Sequence, residues 1–207
     1  MKKVIIISLL LTLTSYAQTI YKVVPGSKNN LIILSIENES KETEIKDVRV
    51  RIVNQLPAIN FTKTEATISG INGEERAEVE FNFDVSRNVD VEKVDTIRFA
   101  ITYRSSVSNW KEILIGYTLP AEFKLEQNYP NPFNPVTTIE YQLPIDGRVS
   151  IKIFNILGEE IKTLVNETRQ AGYYTEEFNG SSLSSGVYLY ALFSENYKAI
   201  KKMVLIK

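Results

Sequence analysis

Apolar and polar residues alternate with a period of two along most of this chain, and this pattern decides the fold class. The run KDVRVRIVN at 46–54 places its aliphatic residues on one side and its charged residues on the other. The runs RAEVEFNFDV at 76–85 and TIRFAITYR at 96–104 repeat the pattern. Because successive side chains of a strand point to opposite faces, each run predicts a strand that is buried on one face. The sequence therefore predicts an all-β protein.

The predicted strands form two groups. With the runs 20–24, 31–36, 66–69 and 113–117, the first group reaches about seven strands in about 100 residues, as in an immunoglobulin-like β-sandwich. We assign this group to residues 18–120, with a turn at 105–109. The second group predicts another small sandwich over residues 121–207. Its strands are expected at 138–143, 148–155, 160–165, 172–179, 186–193 and 199–206.

The segment between the two groups is rich in proline and asparagine. It reads LEQNYPNPFNP at 125–135. Proline fixes φ and lacks a backbone donor, so this segment is expected to be extended and outside any central strand. A plain linker does not need the rings of Tyr129 and Phe133, which gain most when they are buried. We therefore predict a structured segment with two aromatic anchors.

The N-terminus has the three-part layout of a cleavable signal peptide. Two lysines follow Met1, an apolar run occupies 4–13, and small residues precede a cut after Ala17. An uncleaved anchor is the alternative, but a membrane span takes about 20 apolar residues and this run is shorter. We expect residues 1–17 to be removed during Sec export and the mature chain to begin at Gln18.

Composition excludes several kinds of chemistry. The chain has no cysteine and no histidine, so thiolate zinc sites and Ser-His-Asp catalysis are excluded. Its net charge of −1 gives no reason to expect nucleic acid as a partner. Neighbouring acids such as Glu74-Glu75 and Glu176-Glu177 point to opposite faces if they lie in strands, so the two acids of a pair do not readily converge on one substrate. No catalytic residue, metal ligand or cofactor is predicted.

The second group carries an ordered set of motifs. After LEQNYPNPFNP come TTIEYQLP at 137–144, VSIKIFNILGEEIKTLV at 149–165, SSLSSGVYLYAL at 181–192 and KKMVLIK at 201–207. Together they resemble the type A C-terminal sorting domain of the type IX (Por) secretion system, over about residues 123–207. Two positions depart from the family pattern: Phe178 replaces a tryptophan and Asn155 replaces an aspartate.

The resemblance implies recognition by the type IX machinery at the outer membrane, after Sec export through the periplasm. Cleavage or attachment to a surface glycolipid follows, so the protein is expected at the cell surface or in the medium. The residues expected to carry the sorting function are Asn128, Tyr129, Pro130, Asn131, Pro132, Phe133, Asn134, Pro135, Gly158, Gly172, Gly186, Tyr188, Lys201, Lys202 and Lys207. The glycines are expected at turns where a side chain is costly. The basic end of the chain either protects an edge strand or docks on the machinery by charge or strand addition.

Three function classes remain open at this point. The first is an exported, non-catalytic protein whose first sandwich is structural or binds a protein or glycan ligand. That sandwich faintly resembles bacterial immunoglobulin-like modules, through LIILSIENES at 31–40 and GEERAEVEF at 73–81. The second is a small hydrolase that uses carboxylates of the first sandwich. The third is an assembly scaffold like the flagellar hook-capping proteins, which carry a relative of the second domain.

Overall fold

The computed structural model describes residues 4–9, 19–103 and 106–207. Within these ranges every regular element is a strand, so the prediction of an all-β protein is confirmed. The described residues contain no helix of the length and apolar character needed to cross a membrane. The chain divides into two compact units, with residues 87–89 and 119–207 in the second and the rest in the first.

The first unit is a sandwich of two sheets. Its strands are β1 Val4–Leu9, β2 Ile20–Val23, β3 Asn30–Glu37, β4 Ile45–Ile52, β5 Ile59–Phe61, β6 Glu65–Ile71, β7 Arg76–Val85, β8 Val94–Tyr103 and β9 Ser106–Tyr117. One sheet has the order β1-β3-β7-β5 and the other the order β2-β9-β8-β4-β6. The rings of Phe81 in the first sheet and Phe99 in the second lie 5.2 Å apart and are both fully buried. The alternating residues of these strands thus form the core between the two sheets.

The second unit is a smaller sandwich. Its strands are β10 Lys124–Leu125, β11 Val136–Leu143, β12 Gly147–Phe154, β13 Glu160–Arg169, β14 Gly172–Asn179, β15 Gly186–Ser194 and β16 Tyr197–Leu205. A three-stranded sheet has the order β10-β11-β14, and a four-stranded sheet has the order β13-β12-β15-β16. Tyr141 and Phe178 from the first sheet and Tyr190 and Met203 from the second belong to one core cluster. The core therefore joins the two sheets.

Two strands differ from the sequence prediction. β9 begins at Ser106, so a strand occupies most of the turn predicted at 105–109, and residue 105 lies outside the described residues. Antiparallel pairing with β8 satisfies this stretch of backbone, and a register shift after Ile101 accommodates it. The short strand β5 was not predicted, because three residues are too few to show alternation.

The predicted signal peptide is described only in part. Residues 4–9 form β1, which runs parallel to β3 in a register that pairs Val4 with Leu31 and Leu9 with Ile36. Residues 1–3 and 10–17 lie outside the described residues.

Candidate functional site

The proline-rich segment of the second unit is bound along the outer edge of β16. The N–H of Phe133 donates to the carbonyl of Val204 at 2.9 Å, and the N–H of Ile206 donates to the carbonyl of Phe133 at 3.0 Å. The Asn131 Oδ1 accepts from the N–H of Val204 at 2.9 Å. The Gln127 Nε2 donates to the carbonyl of Lys202 at 2.7 Å. The segment therefore closes the end of a strand that the sheet order alone would leave open.

Asn128 holds the shape of this segment from inside. It is 2% exposed, and its Nδ2 donates to the carbonyl of Pro130 at 3.0 Å and to Oγ1 of Thr137 at 2.8 Å. Its backbone N–H donates to the hydroxyl of Tyr190 at 2.7 Å, and that hydroxyl donates to the carbonyl of Glu126 at 2.8 Å. Every polar atom in this chain of contacts has a partner, as buried polar groups require.

Phe133 is a buried anchor, as predicted. Its ring is 2% exposed and lies 6.0 Å from the ring of Phe178. Phe178 is itself fully buried, so it fills the core at the position where the family has tryptophan. Gly180 lies against the ring of Phe133, and a Cβ added at Gly180 would come within 3.3 Å of that ring. Sequence reasoning missed Gly180, although it follows β14 directly and its N–H donates to the carbonyl of Pro135 at 2.8 Å.

The prediction that Tyr129 is a second buried anchor is wrong. Its side chain is 81% exposed. The backbone of Tyr129 pairs with Thr138 in an isolated antiparallel bridge, and this pairing turns the ring to the outer face. The peptide bonds that precede Pro130 and Pro132 are cis. The segment thus presents an exposed ring on one side and a buried ring on the other.

The remaining motif residues lie mostly at the surface of this segment. Exposed or half-buried positions are occupied by Pro130, Asn131, Pro132, Asn134 and Pro135. Tyr188 lies on β15, packs partly against the core, and donates its hydroxyl to the carbonyl of Ser184 at 2.7 Å. The segment runs along β16, and β16 pairs with β15, the strand that carries Tyr188.

One of the three predicted turn glycines occupies such a turn. Gly158 has a φ of +82° in the turn between β12 and β13, where a side chain would be strained. Asn155 shapes that turn, since its Oδ1 accepts from the N–H groups of Leu157 and Glu159. The prediction is wrong for Gly172 and Gly186. Each begins a strand, and an added Cβ would meet no atom closer than 3.6 Å.

The lysines near the C-terminus have different surroundings. Lys202 is exposed and Lys201 is half-buried, with its side chain on the core side of β16. Lys207 is held by two hydrogen bonds. Its Nζ donates to the carbonyl of Ser181 at 2.7 Å, and its backbone N–H donates to Oγ of Ser185 at 3.0 Å. Lys198 shares the outer face of β16 with Lys202 by the period of two and lies over the ring of Phe193 at 5.4 Å. The outward basic pair of this strand is therefore Lys198 and Lys202.

Carboxylates of the second unit converge on an arginine. Arg169 donates to Glu176 and to Glu167 at 2.6 Å each, contacts the hydroxyl of Tyr141, and lies 4.8 Å from the ring centre of Tyr174. Burial alone lowers the pKa of Arg169, but the two carboxylates outweigh it and the net pKa is raised. The guanidinium thus neutralises these acids and fixes them in a structural network. Among the described residues no group of three acids is placed to hold a metal ion.

An open cleft lies beside β5 in the first unit. Its lining combines amide, hydroxyl and apolar side chains, from residues Ile52, Asn54, Gln55, Leu56, Pro57, Ile59, Asn60, Phe61 and Thr64. The side-chain amide of Asn54 donates to the carbonyl of Thr96 and accepts from the N–H of Arg98, both in β8. Gln55 lies in the loop before β5, and Asn60 lies in β5. None of the described residues that line this cleft carries a carboxylate.

Tyr190 provides a test of the buried contacts around Asn128. Burial raises its pKa from 10.0 to about 12, although the donating N–H of Asn128 lowers it. A raised pKa means that the folded state loses stability as pH rises from about 10 towards 12, because the unfolded tyrosine ionises first. Tyr190→Phe is expected to lower the free energy of unfolding by about 1–3 kcal/mol near pH 7 and to weaken its decline above pH 10. Urea unfolding from pH 7 to 11.5 measures both, and equal pH slopes in the two proteins would contradict the assignment.

The second unit is thus a small β-sandwich domain whose proline-rich segment is hydrogen-bonded to its last strand. Residues 127–207 match the family model described as Secretion system C-terminal sorting domain, so the second unit belongs to the type IX sorting-domain family. The match covers less than half of the chain. A tail of this family marks the protein as type IX cargo that is exported to the cell surface or the medium.

Solved structures give weaker likenesses. Dimeric latent PorU from Porphyromonas gingivalis is 13% identical with a TM-score of 0.33, over 93% of this chain and 19% of the PorU chain. This chain thus spans about a fifth of the length of PorU. A putative carbohydrate binding protein from Bacteroides ovatus is 9% identical with a TM-score of 0.35, over 89% of this chain and 65% of that one. No curated protein sequence matches the chain.

Proposed function

We propose that residues 121–207 are the signal by which the outer-membrane type IX machinery recognises this protein, after Sec export and removal of residues 1–17. The observation that carries the proposal is the family match over residues 127–207, which spans the proline-rich segment and the strand to which it is bound. Residues 18–120, which contain the strands β2 to β9, are the cargo. They form a non-catalytic module that is structural or binds a protein or glycan ligand.

The geometry of β16 favours recognition through the charges of its lysines over recognition by addition of a strand to its edge. Strand addition needs free N–H and C=O groups along an edge. From Lys202 to Ile206 these groups are already used by Gln127, Asn131 and Phe133. The exposed ammonium groups of Lys198 and Lys202 are free to steer the domain towards an acidic surface of the machinery.

The cleft of the first unit supports a binding role for the cargo. Amide and hydroxyl groups at its rim can exchange hydrogen bonds with a ligand, and Phe61 and Leu56 offer apolar contact. The residues that the structure describes in its lining include no carboxylate, so they do not supply the pair of acids that a glycosidase needs. This distribution favours a binding module over the carboxylate hydrolase.

Fractionation of the native host tests the proposed route. The full chain is expected at the surface or in the medium, whereas a chain that ends at Pro120 is expected to stay in the periplasm. N-terminal sequencing of the exported protein is expected to begin at Gln18. If both chains reach the same compartment, the second unit is only structural. Ordered self-assembly without surface delivery would instead favour the hook-capping-like scaffold.

A further inference from the structure

Among the described residues, the edge of β3 that faces away from β7 is paired with β1. The backbone N–H of Thr62, which directly follows β5, donates to the carbonyl of Asn82 in β7. Backbone groups of successive residues in a strand point to opposite sides, so the N–H and C=O groups of even-numbered β7 residues face β5 and those of odd-numbered residues face β3. The odd-numbered residue Phe81 of β7 lies opposite Ile32 of β3. The backbone N–H and C=O groups of the even-numbered β3 residues therefore bond to β7. The β3 residues whose N–H and C=O groups face the other way are Leu31, Ile33 and Ser35.

This edge lacks the features that protect outer strands. From Leu31 to Ile36 it contains no charged residue and no proline, and its pairing with β7 runs without a bulge. Three other outer strands of the described sheets are protected: β2 and β5 have only four and three residues, and the end of β16 is closed by the proline-rich segment. Without β1, an uncharged edge of six residues would stay open, which normally leads to pairing with another strand.

We propose that the mature protein uses this edge to bind an extended, uncharged aliphatic segment of another protein, which enters parallel to β3. The inference rests on the proposed removal of residues 1–17, which takes β1 away. The occupant seen in the structure defines the chemistry, because Val4–Leu9 reads VIIISL and pairs in register along the whole edge.

The parallel direction argues against a second copy as the occupant. Two copies that joined their β3 edges across a twofold axis would pair antiparallel, since such an interface is self-complementary. The edge accepts a parallel strand over six consecutive positions, from Leu31 to Ile36. A strand supplied by a different protein chain matches that direction without a symmetry constraint.

A peptide with the sequence of residues 1–9, MKKVIIISL, serves as the probe. Labelled with a fluorophore, it is titrated into the purified chain 18–207 and followed by anisotropy. Saturable one-to-one binding is expected, with at least about tenfold weaker binding to the chain 1–207, whose own β1 fills the edge. Hydrogen exchange at Leu31, Ile33 and Ser35 is expected to slow when the peptide is bound.

N-methylated peptides provide a matched control that leaves the protein unchanged. In a parallel ladder, the groups of Ile33 bond to the residues that flank its partner Ile6, namely Ile5 and Ile7. Methylation of the Ile5 and Ile7 nitrogens is expected to weaken binding by about tenfold or more, because both lost donors face β3. Methylation of the Ile6 and Ser8 nitrogens is expected to change it far less.

Three results would overturn the proposal. The first is that the peptide does not bind the chain 18–207, and the second is that both methylated peptides lose the same affinity. The third is that the chain 18–207 associates with itself and that Ile33→Pro abolishes this association. The last would assign the edge to a second copy, and circular dichroism would verify that the variant folds. The purified chain begins at Gln18 by design, so peptide binding does not depend on export. N-terminal sequencing and fractionation report separately on the proposed route.

Discussion

Replacing Phe133 with alanine is expected to lower the free energy of unfolding of the C-terminal unit by about 3–5 kcal/mol, the usual cost of removing a buried phenylalanine ring. The ring is 2% exposed and contacts Phe178, and the backbone of Phe133 makes the bridge to Leu205. Loss of the ring therefore leaves a cavity at the point where the proline-rich segment is fixed to the last strand.

The same substitution is expected to reduce surface delivery. When the segment detaches, the backbone groups of Lys202 and Val204 lose their partners, and the edge of β16 opens. Hydrogen exchange with peptide-level resolution is expected to show faster exchange in the C-terminal unit and an unchanged first unit. Fractionation of the host is expected to show retention in the periplasm.

Tyr129→Ala is the matched control. It removes a ring of similar size from the same segment, but that ring is 81% exposed. Its effect on stability is expected to stay within about 0.5 kcal/mol, as for other surface substitutions. If both variants lose the same stability, Phe133 is not the anchor. If Tyr129→Ala alone blocks delivery while the unit stays folded, the exposed ring is a recognition group.

The strands were predictable because their signal is local. β7 and β14 occupy the predicted ranges 76–85 and 172–179, since alternation and flanking turn residues lie within each run. β5 has no such signal, and it forms because Ile59–Phe61 pairs with β7. Pairing between distant segments is decided by tertiary contacts that a short window does not contain.

The candidate site shows the same limit. The sequence identified Tyr129 and Phe133 as equivalent rings, and only the pairing with Thr138 and Leu205 decides that one is exposed and the other buried. The closure of β16 was likewise not predictable, because the amides of Gln127 and Asn131 reach a strand at the far end of the unit. Family motifs located the site, whereas its geometry depends on contacts between motifs.

Ending the chain at Glu195 is expected to abolish folding of the C-terminal unit. The truncation removes β16, which pairs with β15 over its whole length and buries Met203 and Leu205 at 0% and 1% exposure. Each of these side chains contributes about 2–5 kcal/mol, so the loss approaches the whole stability of a small domain. Hydrogen exchange is expected to show an unprotected C-terminal unit, and the protein is expected to stay in the periplasm.

Because the truncation destroys the fold, it does not separate docking from edge protection. The double substitution Lys198→Glu and Lys202→Glu does, since both side chains point outward from β16 and the cost in stability is expected to stay below about 1 kcal/mol. If the basic pair docks on the machinery, delivery is expected to fall while hydrogen exchange of the unit stays like that of the parent protein.

Lys41→Glu with Lys63→Glu provides the matched control in the first unit. It makes the same change in net charge, and Lys63 lies over the ring of Phe81 much as Lys198 lies over Phe193. This control is expected to reach the surface like the parent protein. Normal delivery of the Lys198 and Lys202 variant would show that the lysines only discourage unwanted strand pairing. The recognised surface would then be the proline-rich segment, where Tyr129 and the exposed prolines face solvent.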